Sequence, residues 1–412
     1  MSDKRILYLI SRENVSAPGV MQSQVLDLLA EEKIQDPSSK IVLLNLPSLP
    51  IFLKHIKKIK NVKKFCHKAG ITLFIFPIIP IGQSFMPKWA IPLFLIQTVP
   101  LAIFFSLTYR INLIHSRSYL ASLLAYFVKK ITGIKFIFDT RSIYLKEAET
   151  HGIWKKSDPE YRFWEELEKN MFRSADKVIV LASEKESYIK ERVPTADVSL
   201  IPSPVRVTDF AMPRISRSKG RKSLGIAEKF VFTYSGSLGG LHSADFIASF
   251  YSRVSKHVPN PHFLIATQSN PRGIISSLEK LGIRETDYTV LKNPALGDFL
   301  PLADVGIHVY PDVPIAPYVS SVKLPEYCAS AIPTIVTSNM VSMAKLVREK
   351  HFGVVVDNFE PKHIRDKIQK LVKEHSLMGK KAFKLANTYF SVKVCAQKYL
   401  EIYNGLLKKT NA

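Results

Sequence analysis

The stretch SSVKLPEYCASAIPTIVTSN, residues 320–339, sets a lysine and then a lone carboxylate at the start of a small-residue helix that stops at a proline. The first N–H groups of a helix have no partner within it. Ser320, Ser321 and Lys323 would add hydroxyls and a cation to them, a combination suited to phosphate. Glu326 falls one turn further on, where a carboxylate can accept two hydrogen bonds from the paired hydroxyls of a ribose. Ala329, Ser330 and Ala331 would let the helix lie close to a sheet. An exposed Lys-Glu pair has the same spacing and contributes little, so the surroundings have to decide between the two readings.

Outward from this stretch, apolar runs alternate with helical patterns. KFVFTYSG, HFLIATQ, DYTVLKN, VGIHVYP, PTIVTSN and FGVVVDN read as buried parallel strands, short and β-branched. The first half repeats the alternation with RILYLI, KIVLLNL, ITLFIFPII, INLIHSRS, IKFIFDT and DKVIVLAS. Helical segments such as MQSQVLDLLAEEK and YLASLLAYFVKKITG lie between them. SLIPSPVRVTDFAMP, residues 199–213, interrupts the pattern with Pro202, Pro204 and Pro213 and is expected to link two domains. The fold class is α/β: two Rossmann-like domains whose parallel sheets face each other across a cleft. Ligands in such sheets bind beyond the carboxyl ends of the strands.

Each half opens with strand, loop and helix. LISRENVSAPGVMQSQVLDLL places Pro18 and Gly19 before a helix; FTYSGSLGGLHSADF places Gly236, Gly239 and Gly240 around Ser237 and Leu238. Glycine admits close approach to the backbone. A diphosphate is expected between the two loops, or else both are only tight turns. There is no Walker sequence, no spaced dinucleotide fingerprint, and no Asp-x-Asp pair or His/Cys cluster. Nucleotide hydrolysis, a dinucleotide cofactor and a metal are therefore not expected. In the first half, strands end at His115, Ser116 and Arg117 and at Asp139, Thr140 and Arg141, all expected to line the cleft. Asp139 would orient a hydroxyl or stabilise a cationic centre. His115 is either part of the site or a satisfied histidine. Arg117 and Arg141 would bind a phosphate or pair with Asp139. Glu147, Glu149 and His151 follow on a loop.

The net charge of +23 is localised: residues 37–138 contain no Asp or Glu and fourteen Lys and Arg. Such a field attracts polyanions, whether anionic lipid, nucleic acid or a phosphorylated substrate. Within it, LKHIKKIKNVKKF repeats Leu53, Ile56, Ile59, Val62 and Phe65 every third position, with six lysines on the other faces. That is a basic amphipathic helix of the kind that lies on a membrane. Residues 89–109, WAIPLFLIQTVPLAIFFSLTY, carry no charge over the length of a span, broken by two prolines and Gln97. They read as a span, a buried helix or one dipped into lipid. The patch lacks the interleaved aromatics of single-strand binders, so nucleic acid is not expected. Cys66, Cys328 and Cys395 are widely separated and read as free thiols, and MSDKRILYLISREN reads as a first strand rather than a leader.

YSGSLGG followed by SSVKLPEYCASAIPTIV resembles the nucleotide-sugar half of glycosyltransferase family 4, whose fold is GT-B. SAPGVMQSQV, IHSRSYLA, FDTRSIYLKEAETHGIW and ADKVIVLASE resemble the acceptor half of members that build bacterial cell-surface polysaccharides. The resemblance implies retaining, metal-independent transfer from a nucleotide-diphosphate sugar, by default UDP-linked, to a glycan or lipid-linked acceptor. The enzyme would sit in the cytoplasm against the inner membrane face. The domains would be residues 1–203, 204–391 and a C-terminal helix, 392–412, crossing back to the first. Donor contacts fall on Gly19, Ser237, Leu238, Gly239, Ser320, Ser321, Lys323 and Glu326; catalytic roles on Asp139, His115, Arg141 and Lys323; acceptor contacts on Arg117 and Glu147. The first of the family's two spaced glutamates is Tyr318 here, and His242 stands where a basic residue usually follows the glycine loop. A GT-B epimerase or phosphorylase and a non-catalytic basic binder are the alternative readings.

Overall fold

A computed structural model describes residues 4–17, 19–79, 85–239 and 243–408. The chain divides into two compact units. One runs up to Pro204 and includes the C-terminal segment from Val392; the other is Val205–Ser391.

The first unit is built on seven parallel strands: β1 (Arg5–Arg12), β2 (Lys40–Pro47), β3 (Ile71–Ile75), β4 (Leu113–Arg117), β5 (Lys135–Thr140), β6 (Lys177–Val180) and β7 (Val198–Leu200). Their order is β3-β2-β1-β4-β5-β6-β7. The interior of β1 is buried on both faces, which is why its sequence is a continuous apolar run rather than an alternation. The order reverses between β1 and β4, opening a switch point beside the carboxyl ends of both. β7 has no signature in the sequence: three half-buried residues in a proline-bearing segment carry no periodicity.

The helices of this unit include α1 (Asp27–Gln35), α2 (Leu49–Lys68), α3 (Ala90–Thr108), α4 (Ser118–Thr132), α5 (Tyr144–Thr150), α6 (Pro159–Ser174) and α7 (Ser183–Arg192). The C-terminal helix Val392–Lys408 also belongs here. Its Cys395, Ala396, Tyr399, Tyr403 and Leu407 share a core with Ile6, Leu113, Ile137 and Ile179. Before it, a π-turn over Ala386–Phe390 and an extended Ser391 end the preceding helix, and Ser391 bridges to Val205.

Two helices are poorly covered. In α2 only Cys66 is buried, while Leu53 and Ile56 are about half exposed. α3 is long and apolar enough to cross a membrane. Its buried residues, among them Phe94, Ala102 and Phe105, face inward, yet Trp89, Leu93, Ile96, Phe104 and Leu107 are 47–72% exposed. Their spacings of four, three, eight and three residues keep them on one face, an apolar stripe along the helix. Gln97 is satisfied locally, accepting from the Ile79 N–H at 2.9 Å and donating to the Leu93 carbonyl at 3.1 Å.

The second unit has six parallel strands: β8 (Phe230–Ser235), β9 (Pro261–Thr267), β10 (Tyr288–Lys292), β11 (Val305–His308), β12 (Thr334–Thr337) and β13 (Gly353–Val356). Their order, β10-β9-β8-β11-β12-β13, reverses between β8 and β11. The core lies between this sheet and helices such as Ala244–Ser255 and Pro361–Leu385.

Candidate functional site

In the second unit the switch point brings together the two segments singled out by sequence. The glycine loop leaves β8, and the helix Lys323–Ala329 follows β11, the strand beside β8. Tyr327 joins them: its hydroxyl accepts from the Ser235 N–H at 3.1 Å and donates to the Ile307 carbonyl at 3.3 Å. Gly306 makes room for that ring, since a Cβ there would lie 2.4 Å from it. The loop itself is held by Tyr234, whose hydroxyl donates to the Ser237 carbonyl at 2.8 Å, and by Ser269, which accepts from the Leu238 N–H at 2.9 Å. Gly236 and Gly239 have φ of 144° and 127°, values that L side chains rarely adopt. Ser237 and Gly239 are exposed, and among the described residues nothing lies within 4 Å of where a Gly239 Cβ would be.

Lys323 reaches across this loop. It is 7% exposed, its Nζ stands 5.4 Å from the Tyr234 ring centroid, and its Cε packs against Gly236. Burial pulls its ammonium down to about 8, and Glu326 opposes that. Burial likewise pushes Glu326 up to about 7, with Lys323 opposing. Ser321 Oγ accepts from the Lys323 N–H at 3.2 Å and sits 3.0 Å from His308 Nε2. His308, which no sequence pattern marks, thereby positions Ser321. The result is an ammonium, a glycine loop open on one side and a half-buried carboxylate. Pro18, Gly240 and His242 lie outside the described residues.

The first unit also carries a polar cluster, at the carboxyl ends of β1, β4 and β5. The sequence suggests that His115 and Asp139 line an opening; both are fully buried. His115 Nδ1 is 2.6 Å from the Tyr403 hydroxyl and Nε2 is 3.2 Å from Asp139 Oδ2. The burial has a tertiary cause: the C-terminal helix packs over these residues. Tyr399 also donates to Asp139, at 3.2 Å, and Arg141 pairs with the same oxygen. Burial alone would raise Asp139, but Arg141, His115 and Arg117 hold it below its usual range. Burial lowers the proton affinity of His115, and Asp139 opposes that.

Arg117 donates from Nη2 to Gln24 at 2.9 Å. Glu147 is half-buried, and burial raises its carboxyl. Lys185 carries no signal in the sequence: fully buried, it donates to the Arg141 carbonyl at 2.8 Å and is pulled by burial to about 7. Gly19 has φ of 91°, and among the described residues nothing lies within 4 Å of where its Cβ would be. No group of three His, Cys, Asp or Glu able to hold a metal occurs among the described residues.

No protein-family model and no curated protein matches this sequence. Solved structures do match, over nearly the whole chain. HepE of Anabaena, in complex with UDP and glucose, is 15% identical and superposes with a TM-score of 0.68, covering 98% of this chain and all of its own. Sucrose-phosphate synthase of Thermosynechococcus elongatus is 14% identical with a TM-score of 0.72 over 98% of this chain and 100% of that one. WaaG, a glycosyltransferase involved in lipopolysaccharide biosynthesis, is 12% identical with a TM-score of 0.64, covering 97% and 100%. The architecture is therefore GT-B, the fold of these glycosyltransferases.

Proposed function

We propose that this protein transfers a sugar from a nucleotide-diphosphate sugar, by default UDP-linked, to a membrane-associated glycan or lipid-linked acceptor, with retention of configuration. The observation that carries the reading is the meeting of Lys323 with the Gly236 loop at the β8/β11 switch point, with Glu326 close enough to alter the lysine's pKa. In that arrangement the Lys323 ammonium and the loop amides from Ser237 to Gly239 stabilise the departing diphosphate. Stabilising such developing charge is usually the main source of an enzyme's rate enhancement. Glu326, ionised, accepts from the ribose hydroxyls. The leaving diphosphate takes the acceptor's proton on the face it departs from, so no separate base is required. HepE, alike in fold, has been captured with UDP and glucose, which supports the choice of nucleotide.

The acid-free basic region supports a location on the inner, cytoplasmic membrane surface. The lysines of α2 would meet anionic headgroups, and the apolar stripe of α3 would enter the interface. Calorimetric titration with UDP tests the donor assignment: saturable binding abolished by Lys323→Ala and Glu326→Ala is expected. Absence of UDP binding, or sugar-nucleotide turnover needing no acceptor, would sink it.

A further inference from the structure

The first unit holds an excess of buried donors that the structure leaves unpaired. Arg117 is 2% exposed and Arg141 9% exposed at their side chains. Nε and Nη1 of both are buried and make no hydrogen bond among the described residues. The nearest anion to Arg117 Nη1, Glu13 Oε2, is 3.6 Å away, beyond hydrogen-bond reach. The hydroxyls of Tyr8, Ser11 and Ser16 are buried and unbonded in the same way. A buried polar group left without a partner costs about 1–3 kcal/mol, and more when charged. Native proteins rarely leave several together unless a ligand or water completes them.

Arg117, Arg141 and Tyr8 belong to one locality. Arg117 and Arg141 both lie near enough to Asp139 and Tyr8 to affect their proton affinity. Arg117 ends β4, Ser11 is near the end of β1, and Arg141 follows β5, so the cluster straddles the β1/β4 switch point. Arg12 and Ser118, at the ends of those two strands, hold φ of 62° and 71°, uncommon for residues with a Cβ. Such strain at strand ends clusters where ligands bind. Two acids face these cations, Asp139 beside Arg141 and Glu13 3.6 Å from Arg117, yet neither hydrogen-bonds Nε or Nη1 of either guanidinium. Asp139 serves Arg141, His115 and Tyr399 through Oδ2, its Oδ1 is buried without a hydrogen bond among the described residues, and burial raises the Glu32 carboxyl.

We propose that the first unit contains a phosphate site of its own, in which Arg117 and Arg141 grip a phosphate oxyanion assisted by Ser11. Two guanidinium groups with free edges match phosphate, whose oxygens accept paired N–H bonds, better than they match a neutral sugar. On the transferase reading, the carrier of that phosphate is the acceptor: a lipid-linked sugar diphosphate or a soluble sugar phosphate.

The test uses the full-length protein with Lys323→Ala, so that the second unit does not compete. Inorganic pyrophosphate is titrated by calorimetry at constant ionic strength. Saturable binding is expected, weakened about tenfold or more by Arg117→Gln and by Arg141→Gln and partly restored by Arg117→Lys. Displacement of pyrophosphate by glucose 1-phosphate, or by a polyprenyl diphosphate in phosphatidylcholine vesicles, supports the site, and the tighter competitor names the carrier. No saturable binding in the Lys323→Ala protein overturns the proposal whatever the arginine variants do. Equal displacement by glucuronate overturns the choice of phosphate. Loss of UDP binding from the unmutated chain would refute the donor assignment and leave this site standing.

Discussion

Gly236 and Lys323 touch: a Cβ on the glycine would lie 2.7 Å from Lys323 Cε and 3.1 Å from its Nζ. Nothing local brings the pair together; the adjacency of β8 and β11 does. Gly236→Ala should therefore push the ammonium off the loop and add strain at φ of 144°. The expected outcome is at least about a tenfold loss of UDP affinity with about 1–2 kcal/mol of destabilisation, read by calorimetry and thermal unfolding. Unchanged affinity would remove Lys323 from the diphosphate site.

UDP affinity should follow a narrow bell in pH. It rises as Glu326 loses its proton near pH 7 and falls as Lys323 loses its own near pH 8. Glu326→Gln should abolish the acid limb and Lys323→Arg the alkaline one. A flat profile in the unmutated protein would contradict both roles.

Glu168 provides a stability readout away from the donor site. It is fully buried and accepts from the Tyr119 and Tyr188 hydroxyls, each at 2.8 Å, and burial pushes its carboxyl up to about 7. Because the folded state holds the proton more tightly than the unfolded chain, this contribution is complete below the unfolded value and disappears as pH rises through about 7. Relative to Glu168→Gln, the unmutated protein should lose about 3 kcal/mol between about pH 4 and about pH 8. Chemical denaturation at a series of pH values measures the difference.

The C-terminal helix should be indispensable to the first unit. Tyr399 and Tyr403 are fully buried and bond to Asp139 and His115. Truncation after Ser391 is expected to leave the first unit unfolded or aggregated, and Tyr403→Phe to cost about 1–3 kcal/mol. A soluble, cooperatively folded truncation product would contradict the packing.

Vesicle binding should separate charge from insertion. Lys57→Gln, Lys60→Gln and Lys64→Gln together should weaken binding to anionic vesicles by about a hundredfold, at about 1 kcal/mol per charge. Ile96→Ser with Leu107→Ser, at exposed positions of α3, should remove the fraction that survives high salt without changing thermal stability. Equal binding to neutral vesicles regardless of salt would count against a membrane surface role.

Much of this was legible from residue order. Among the described residues, twelve of the thirteen strands fall on short, β-branched or otherwise largely apolar stretches bounded by turn residues, which local sequence displays directly. The Lys323–Glu326 element and the glycine loop stand out in the sequence because phosphate and ribose binding, the role proposed for them, demands particular residue types at short spacing. Lys185, His308, Tyr399 and Tyr403 were not, because their partners are distant in sequence and their own neighbourhoods read as ordinary helix or strand.

Local order thus determined the strands, the turns between them and the acid-free basic stretch, since each depends on residues a few positions apart. Strand order was decided only in three dimensions. It laid Lys323 against Gly236, closed the C-terminal helix over His115 and Asp139, and gathered Arg117 with Arg141. Which buried charges find partners depends on which strands become neighbours, and that is set by packing of the whole sheet.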